Sequence, residues 1–233
     1  MGSRFLSIGG TICTNRGHER LLDKLQQVRR SYTLSQEMRW GKVSNRHLRG
    51  YIEWVNAFFD DPHARYVMLS VNRSKADWRC FRAQFRGASG SDLALASVYY
   101  QFLLIAFGPL RDTKRWWVYP DAGFFSRDSI LDRVEFLFNR TYKRAFGHKS
   151  SRIIRLARSI DSKVSDLIQL TDVLLACNAC TQYGYDPASQ AKSSLLKHFR
   201  GRVASSTGKT QRGLPRFLVR GWVPQDQFNY THR

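Results

Sequence analysis

The pattern of apolar and polar positions divides the chain into short strands that alternate with helices. Apolar runs bounded by turn residues predict strands at residues 4–13, 65–72, 115–121 and from Ile153 onward. Apolar residues at helical spacing predict helices at 19–31, 44–59, 92–107, 128–147, 165–181 and 188–199. This order of elements predicts an α/β fold in which helices cover a mixed sheet.

The helix predicted after Ile160 has a clear start signal and one polar residue that breaks its pattern. Ser165 is placed to cap the helix, and Asp166 lies in the first turn, where an acid suits the helix dipole. Asp172 lies among mostly apolar neighbours, where a carboxylate is costly unless it is paired, hydrogen-bonded or metal-bound. The other interpretation is that Asp172 is partly exposed, or paired with an arginine from elsewhere in the chain.

This part of the chain resembles a known protein family. Asp161-Ser162-Lys163, followed by a helix that contains the run 169–176 (QLTDVLLA), is similar to the C-terminal signature of the domain-of-unknown-function family 3800. Thr171 replaces the alanine that is usual in that signature. Members of the family resemble nucleases of the RNase H fold, so the resemblance implies an RNase H-like mixed sheet and hydrolysis of phosphodiester bonds.

The resemblance extends to two earlier positions that carry carboxylates. Glu37, Trp40 and Lys42 match a Glu-Ile-Lys-Trp-x-Lys segment of the family, and Asp121 matches an aspartate at the end of a strand. The resemblance implies that Glu37 and Asp121 are metal ligands. From the residues alone, Glu37 could equally form a surface ion pair.

The resemblance implies a site with divalent metal ions. Glu37, Asp121 and Asp172 are the expected ligands, and Asp161 is expected as a further ligand or as a cap at the end of a strand. Oxygen ligands of this kind suit Mg²⁺ or Mn²⁺, and paired ions can activate water and stabilise a leaving oxygen. Lys163 is expected to contact the scissile phosphate or to neutralise Asp161.

One feature of the family is missing from this sequence. Family members begin with a strand that ends in Asp-Glu-Ser-Gly, whose aspartate resembles the first metal ligand, and the strand predicted at 4–13 lacks this motif. We therefore expect an RNase H-like domain at 1–204 that is truncated at its N-terminus and has an incomplete catalytic set. Residues 205–233 are expected to form a basic C-terminal tail.

The charge of the chain points to an anionic partner. The formal net charge is +20 and the isoelectric point is about 10.4, values that favour DNA or RNA over a merely basic surface. Arg79, Arg82 and Arg86 alternate with Phe81 and Phe85, a mixture that suits nucleic acid unless the two rings belong to the core. The other candidate nucleic-acid contacts are Lys192, Lys197, Arg200, Arg202 and Arg216. All five lie between residues 187 and 225, where the sequence has no Asp or Glu. Such a basic segment is typical of either a nucleic-acid arm or a disordered tail.

Location and function class follow from the remaining features. The apolar segment 92–107 is shorter than the roughly 20 residues of a membrane span, and no signal peptide opens the chain, so we expect a cytoplasmic protein that does not enter the membrane. Three functions remain open. The protein is a metal-dependent nuclease of RNase H type, or it binds nucleic acid on the same scaffold without catalysis. The third alternative, which ranks behind these two, is a basic partner of another protein.

Overall fold

A computed structural model describes residues 4–88, 90–110, 115–122, 128–146, 153–156, 159–206 and 217–222. Within these ranges the chain is a mixed α/β protein. Its strands are β1 (Phe5–Ile12), β2 (Arg65–Asn72), β3 (Trp116–Val118), β4 (Ile154–Leu156) and β5 (Phe217–Trp222). Its α-helices are α1 (Asn15–Ser31), α2 (Leu48–Phe59), α3 (Gly90–Phe107), α4 (Asp128–Phe146), α5 (Asp166–Tyr183) and α6 (Gln190–Ser205). Short 3-10 helices cover Trp40–Lys42, Arg73–Lys75, Trp78–Phe81, Gly108–Leu110 and Ser162–Val164.

The strands form two small sheets. One sheet has the order β1-β2-β5, and the other pairs β3 with β4 in parallel. The chain divides into two compact units. The first unit comprises residues 1–8, 69–160 and 220–233, and the second unit comprises residues 9–68 and 161–219.

The second unit is built on four helices that share one apolar core. Helices α1, α2, α5 and α6 pack on one another, and each contributes residues that are fully or almost fully buried. Trp54 of α2 lies inside this core, where its indole N–H donates to the carbonyl oxygen of Leu25 at 3.2 Å. This bond satisfies a polar group that would otherwise be costly to bury.

An aromatic cluster in the second unit includes a residue from the predicted tail. The ring of Phe217 stacks on Phe59 with centroids 5.4 Å apart, and it also contacts Phe58, Tyr66 and Phe199. Aromatic pairs at such distances stabilise a core beyond the area they bury. Residues 217–222 are therefore a strand of the sheet, and their first residue packs against the core of the second unit.

The first unit is organised by two helices. Helix α3 packs along α4, with Phe107 and Phe138 in edge-to-face contact at 6.1 Å. Helix α3 and the short turn that follows it, Gly90–Leu110, have the length and composition of a membrane span, but 72% of the apolar window is buried inside the protein. A helix in the core of a protein is also long, apolar and mostly buried. Such a helix is expected to be apolar on every side, as α3 nearly is.

Most predicted elements are present, with shifted ends. Helix α1 begins one turn earlier than predicted, because the Thr14 hydroxyl accepts from the backbone N–H of Gly17 and caps the helix there. The predicted cap of α2 at Ser44 or Asn45 is wrong, since the helix begins at Leu48 and Ser44 instead lies 3.4 Å from the His47 ring nitrogen. The predicted C-cap Gly147 lies outside the described residues.

Candidate functional site

Gln169 is the centre of a polar network in the second unit. Its side chain is on α5 and the residue is only 1% exposed. Its amide oxygen accepts from the backbone N–H of Met38 at 2.6 Å, and its amide nitrogen donates to the carbonyl oxygens of Ser162 at 2.7 Å and Lys163 at 3.2 Å. One amide therefore ties α5 to the segment that carries Glu37 and to the turn that follows Asp161.

Arg29 completes this network from α1. Its guanidinium donates to the Gln169 amide oxygen at 2.7 Å and to Asp166 Oδ1 at 2.7 Å. It also donates to the carbonyl oxygens of Leu34 at 2.7 Å and Gln36 at 2.9 Å. The planar fork of arginine suits several fixed acceptors at once, so Arg29 holds the loop before Glu37 against α5.

Glu37 lies at the edge of this network and is only 15% exposed at its side chain. One carboxylate oxygen accepts from the Ser162 hydroxyl at 3.1 Å. The other lies 3.6 Å from Arg39 Nε and 3.8 Å from Lys42 Nζ. The ion-pair interpretation of Glu37 is therefore observed, and the same carboxylate also contacts the turn beside Asp161.

Asp172 is one turn further along α5 than Gln169, and it is exposed. Its Oδ2 accepts from the backbone N–H of Trp40 at 3.1 Å, at the start of the 3-10 helix Trp40–Lys42. Of the two interpretations of Asp172, the exposed one is therefore observed, and its carboxylate is also hydrogen-bonded within the protein. Asp172 and Glu37 thus contact the same short segment, since Asp172 accepts from the Trp40 N–H and Glu37 pairs with Arg39 and Lys42.

Asp161 and Lys163 belong to the turn that precedes α5. Asp161 Oδ1 accepts from the backbone N–H of Lys163 at 2.9 Å, so Asp161 caps the 3-10 helix Ser162–Val164. The cap at Ser165 also forms as predicted, because its hydroxyl accepts from the N–H of Ile168. The Lys163 side chain is exposed and faces the same cleft as Glu37.

This cleft lies between α1 and the start of α5 and has a volume of about 520 Å³. Its polar lining includes His18, Arg29, Glu37, Lys163 and Asp166. Both signs of charge thus face one concave surface of the second unit.

The Trp40 segment also contacts Lys192 and Tyr51. The Lys192 ammonium of α6 lies 5.6 Å from the centre of a Trp40 ring, within the range of a cation–π contact. The Tyr51 hydroxyl donates to the carbonyl oxygen of Arg39 at 3.1 Å, and burial raises the pKa of Tyr51 to about 12. Tyr51 therefore remains a neutral donor at physiological pH and fixes the backbone of the Trp40 segment.

Asp121 belongs to the first unit. It forms an isolated parallel bridge with Ile160, in which the Ile160 N–H donates to the Pro120 carbonyl oxygen at 2.9 Å and the Ala122 N–H donates to the Ile160 carbonyl oxygen at 2.8 Å. Asp121 thus lies at the end of an extended segment, as the sequence predicts. Across the described ranges, no group of three or more His, Cys, Asp or Glu side chains is arranged to hold a metal ion.

The predicted nucleic-acid residues fall into two groups by their contacts. Arg82, Arg86 and Lys197 are exposed. The others have protein partners: Arg79 pairs with Asp77, Arg200 with Asp186, and Arg202 with Asp60, while Lys192 lies over Trp40. Arg216 lies outside the described residues.

The aromatic residues near Arg79 belong to the core. Phe81 is 4% exposed and Phe85 is 2% exposed, so neither ring is available to a base. The interpretation of this segment as an amphipathic turn with buried aromatics is the correct one. The arginines here can contact phosphate, but these rings do not provide a stacking surface.

Sequence reasoning missed the two residues that hold the site together, Gln169 and Arg29. Gln169 was visible only as one letter of the α5 signature, and Arg29 as one of several basic residues on the polar side of α1. The usable signal was a glutamine at a helix position that its neighbours bury, since a buried amide requires several partners. No family model, curated protein or solved structure matches this chain.

Proposed function

We propose that this protein is a nuclease-like protein of RNase H type that hydrolyses phosphodiester bonds, with the cytoplasm as its place of action. One observation carries the proposal. Glu37 is distant in sequence from Asp161 and Asp172, but all three belong to the segments that Gln169 and its neighbours hold together in the second unit. Carboxylates with cations nearby are suited to phosphodiester hydrolysis.

The side chains near Trp40 supply two kinds of chemistry. Arg39 and Lys42 pair with Glu37. Both side chains can also bind a phosphate group, because cations form strong charge-assisted hydrogen bonds with phosphate oxygens. Asp172 is exposed and ionisable, so its carboxylate can orient a water molecule or accept its proton. Lys163 is available at the cleft to contact a second phosphate.

The dependence on Mg²⁺ or Mn²⁺ is proposed from the family resemblance. The carboxylate oxygens are of the type that these ions prefer. In their present arrangement, however, Glu37 contacts two cations, Asp172 contacts the Trp40 N–H and Asp161 caps a turn. These contacts do not form a metal-ligand set, so we derive no step of the reaction through a metal.

The proposal is tested by cleavage of end-labelled single- and double-stranded DNA and RNA. Cleavage by the parent that is lost on chelation with EDTA and falls by orders of magnitude in Asp172→Asn, which keeps the shape and removes the charge, would support the proposal. Asp23→Asn is the matched control, because Asp23 is exposed on α1, and it should cleave like the parent. Equal cleavage by Asp172→Asn and the parent would remove Asp172 from the proposed site.

The second candidate is a protein that binds nucleic acid on this scaffold without cleaving it. The ion pairs of Glu37 with Arg39 and Lys42 favour it, because a carboxylate engaged in this way is already satisfied by the protein. This candidate predicts binding that weakens steeply with salt and has little sequence preference, since each phosphate contact releases counterions. Tight binding without cleavage of any of the four substrates would establish it in place of the nuclease.

A further inference from the structure

The parallel pair β3–β4 in the first unit presents aromatic residues on one side. Exposure alternates from residue 115 to residue 121, so Arg115, Trp117 and Tyr119 are exposed while the residues between them are partly or fully buried. Trp117 is 53% exposed and Tyr119 is 51% exposed. Trp117 lies on β3 and Tyr119 follows the end of the strand, and exposed large apolar patches of this kind mark binding surfaces.

A cation lies directly on this aromatic surface. Trp117 pairs with Arg155 of β4 in the strand register, and the Arg155 guanidinium carbon lies 4.8 Å from the centre of a Trp117 ring. Arg155 is itself exposed. The contact places a phosphate-binding guanidinium over the Trp117 ring, which is still half exposed and suited to stacking.

The opposite side of the strand pair is anchored in the protein. The Trp116 ring packs against Phe107 of α3 with centroids 5.6 Å apart, and the backbone N–H of Trp116 donates to the Ile153 carbonyl oxygen at 2.8 Å. The buried amide of Asn139 on α4 accepts from the N–H groups of Ile153 and Ile154 and donates to the Ile154 carbonyl oxygen. The exposed rings therefore stand on a backbone that two helices hold in place.

We infer that Trp117, Tyr119 and Arg155 form a stacking platform for single-stranded nucleic acid. Unpaired bases offer flat faces to aromatic side chains, whereas a duplex keeps those faces stacked internally. Trp117 lies on β3 and Tyr119 just beyond its end. Positions two residues apart in extended backbone are separated by about 6.6 Å, roughly twice the 3.4 Å spacing of stacked bases in one strand, so each ring can contact a separate base. Arg115 and Arg155 supply positive charge for the connecting phosphates.

This choice of partner follows from charge and ring exposure together. A protein partner would also cover exposed rings, but the net charge of +20 and the arginines beside these rings complement a polyanion. The inference deepens the proposed function by naming single strands as the bound form, and it rests on nucleic acid being the ligand. It does not depend on hydrolysis, because it involves none of the carboxylates near Trp40.

The test measures the affinity of the full chain for a fluorescently labelled oligothymidine and for a duplex of equal length. We expect preference for the single strand, and Trp117→Ala should weaken single-strand binding about 5- to 150-fold, the range found for loss of one stacked base. Tyr119→Ala should have a similar effect, while Trp117→Phe should retain most of the affinity. Arg155→Gln should lower the slope of log affinity against log salt by about one.

Phe136→Ala is the matched control for this test. Phe136 is 52% exposed on α4 and also carries an arginine, Arg133, at 5.4 Å from its ring, so it shares exposure and cation–π contact but lies outside the platform. Its loss should leave affinity unchanged. Parental affinity in folded Trp117→Ala and Tyr119→Ala, or an equal loss in Phe136→Ala, would overturn the inference.

The outcomes separate this inference from the proposed hydrolysis. Single-strand binding that depends on Trp117, without any cleavage, would support the platform and refute the nuclease. Cleavage that needs Asp172 but is unaffected by Trp117→Ala, with unchanged affinity, would support the nuclease and refute the platform. An absence of single-strand binding at low salt would also refute the platform.

Discussion

Replacing Gln169 with leucine tests whether its buried amide holds the candidate site in place. The substitution keeps a similar volume on α5 but removes the acceptor for Met38 and Arg29 and the donor for Ser162 and Lys163. Since the apolar side chain fits the space, the predicted loss arises from hydrogen bonds rather than from a cavity.

The loss in the free energy of unfolding depends on which former partners of Gln169 stay buried without a hydrogen bond. The Met38 N–H lies in a buried bond, and leaving such a donor unsatisfied costs about 1–3 kcal/mol. Arg29 keeps Asp166, Leu34 and Gln36 as acceptors, so its loss is small. Adding a partial loss for the carbonyls of the Ser162–Val164 turn gives about 2–4 kcal/mol in total.

Urea unfolding, followed by circular dichroism, measures this difference directly. Gln27→Leu is the control, because Gln27 is exposed on α1 and its replacement should change the free energy of unfolding by less than about 0.5 kcal/mol. A difference between Gln169→Leu and the parent below about 1 kcal/mol, at an unchanged slope with urea, would refute the network's structural role.

Three further predictions concern packing and ionisation. Gly9→Ala should destabilise the protein and lower its unfolding midpoint in urea, because a Cβ at residue 9 would lie 2.6 Å from the Tyr66 hydroxyl, and an unchanged midpoint would contradict this contact. Burial raises the pKa of Cys13 to about 11, so its alkylation by iodoacetamide at pH 8 should be much slower in the folded protein than in urea, as mass spectrometry of the modified peptide can show. Burial lowers the pKa of His198 below its ordinary 6.5. Between the folded-state pKa and 6.5 the unfolded chain binds more protons than the folded protein, so the free energy of unfolding should fall as the pH drops through this window. His198→Gln should reduce this pH dependence, as urea unfolding at several pH values can show.

The elements with strong local signals were predictable from the sequence. Helix α5 begins at its predicted cap because Ser165 can satisfy a backbone donor of its own first turn. Strand β2 coincides with a mostly apolar run that only Ser70 interrupts, and it is buried along almost its whole length. In these cases the residues that determine the structure are neighbours in the chain.

The failures have the opposite cause. Gln169 owes its role to partners at residues 29, 38 and 162–163, and no local pattern reveals which segments meet. Phe217 looked like one ring in a basic tail, but its contacts come from α2, β2 and α6. For Asp172 the sequence left a costly and a partly exposed position open, because α5 is apolar on most sides and only tertiary packing decides which side is covered.

Glu37 and Asp172 provide the most direct test of the account, since Glu37 pairs with Arg39 and Lys42 and Asp172 accepts from the Trp40 N–H between them in the chain. The measurement is the cleavage rate of one labelled oligonucleotide by the parent, Glu37→Gln, Asp172→Asn and the double variant. Residues that act as one unit lose activity non-additively, so the double variant should be about as slow as the slower single variant. A parental rate in either single variant would contradict the account.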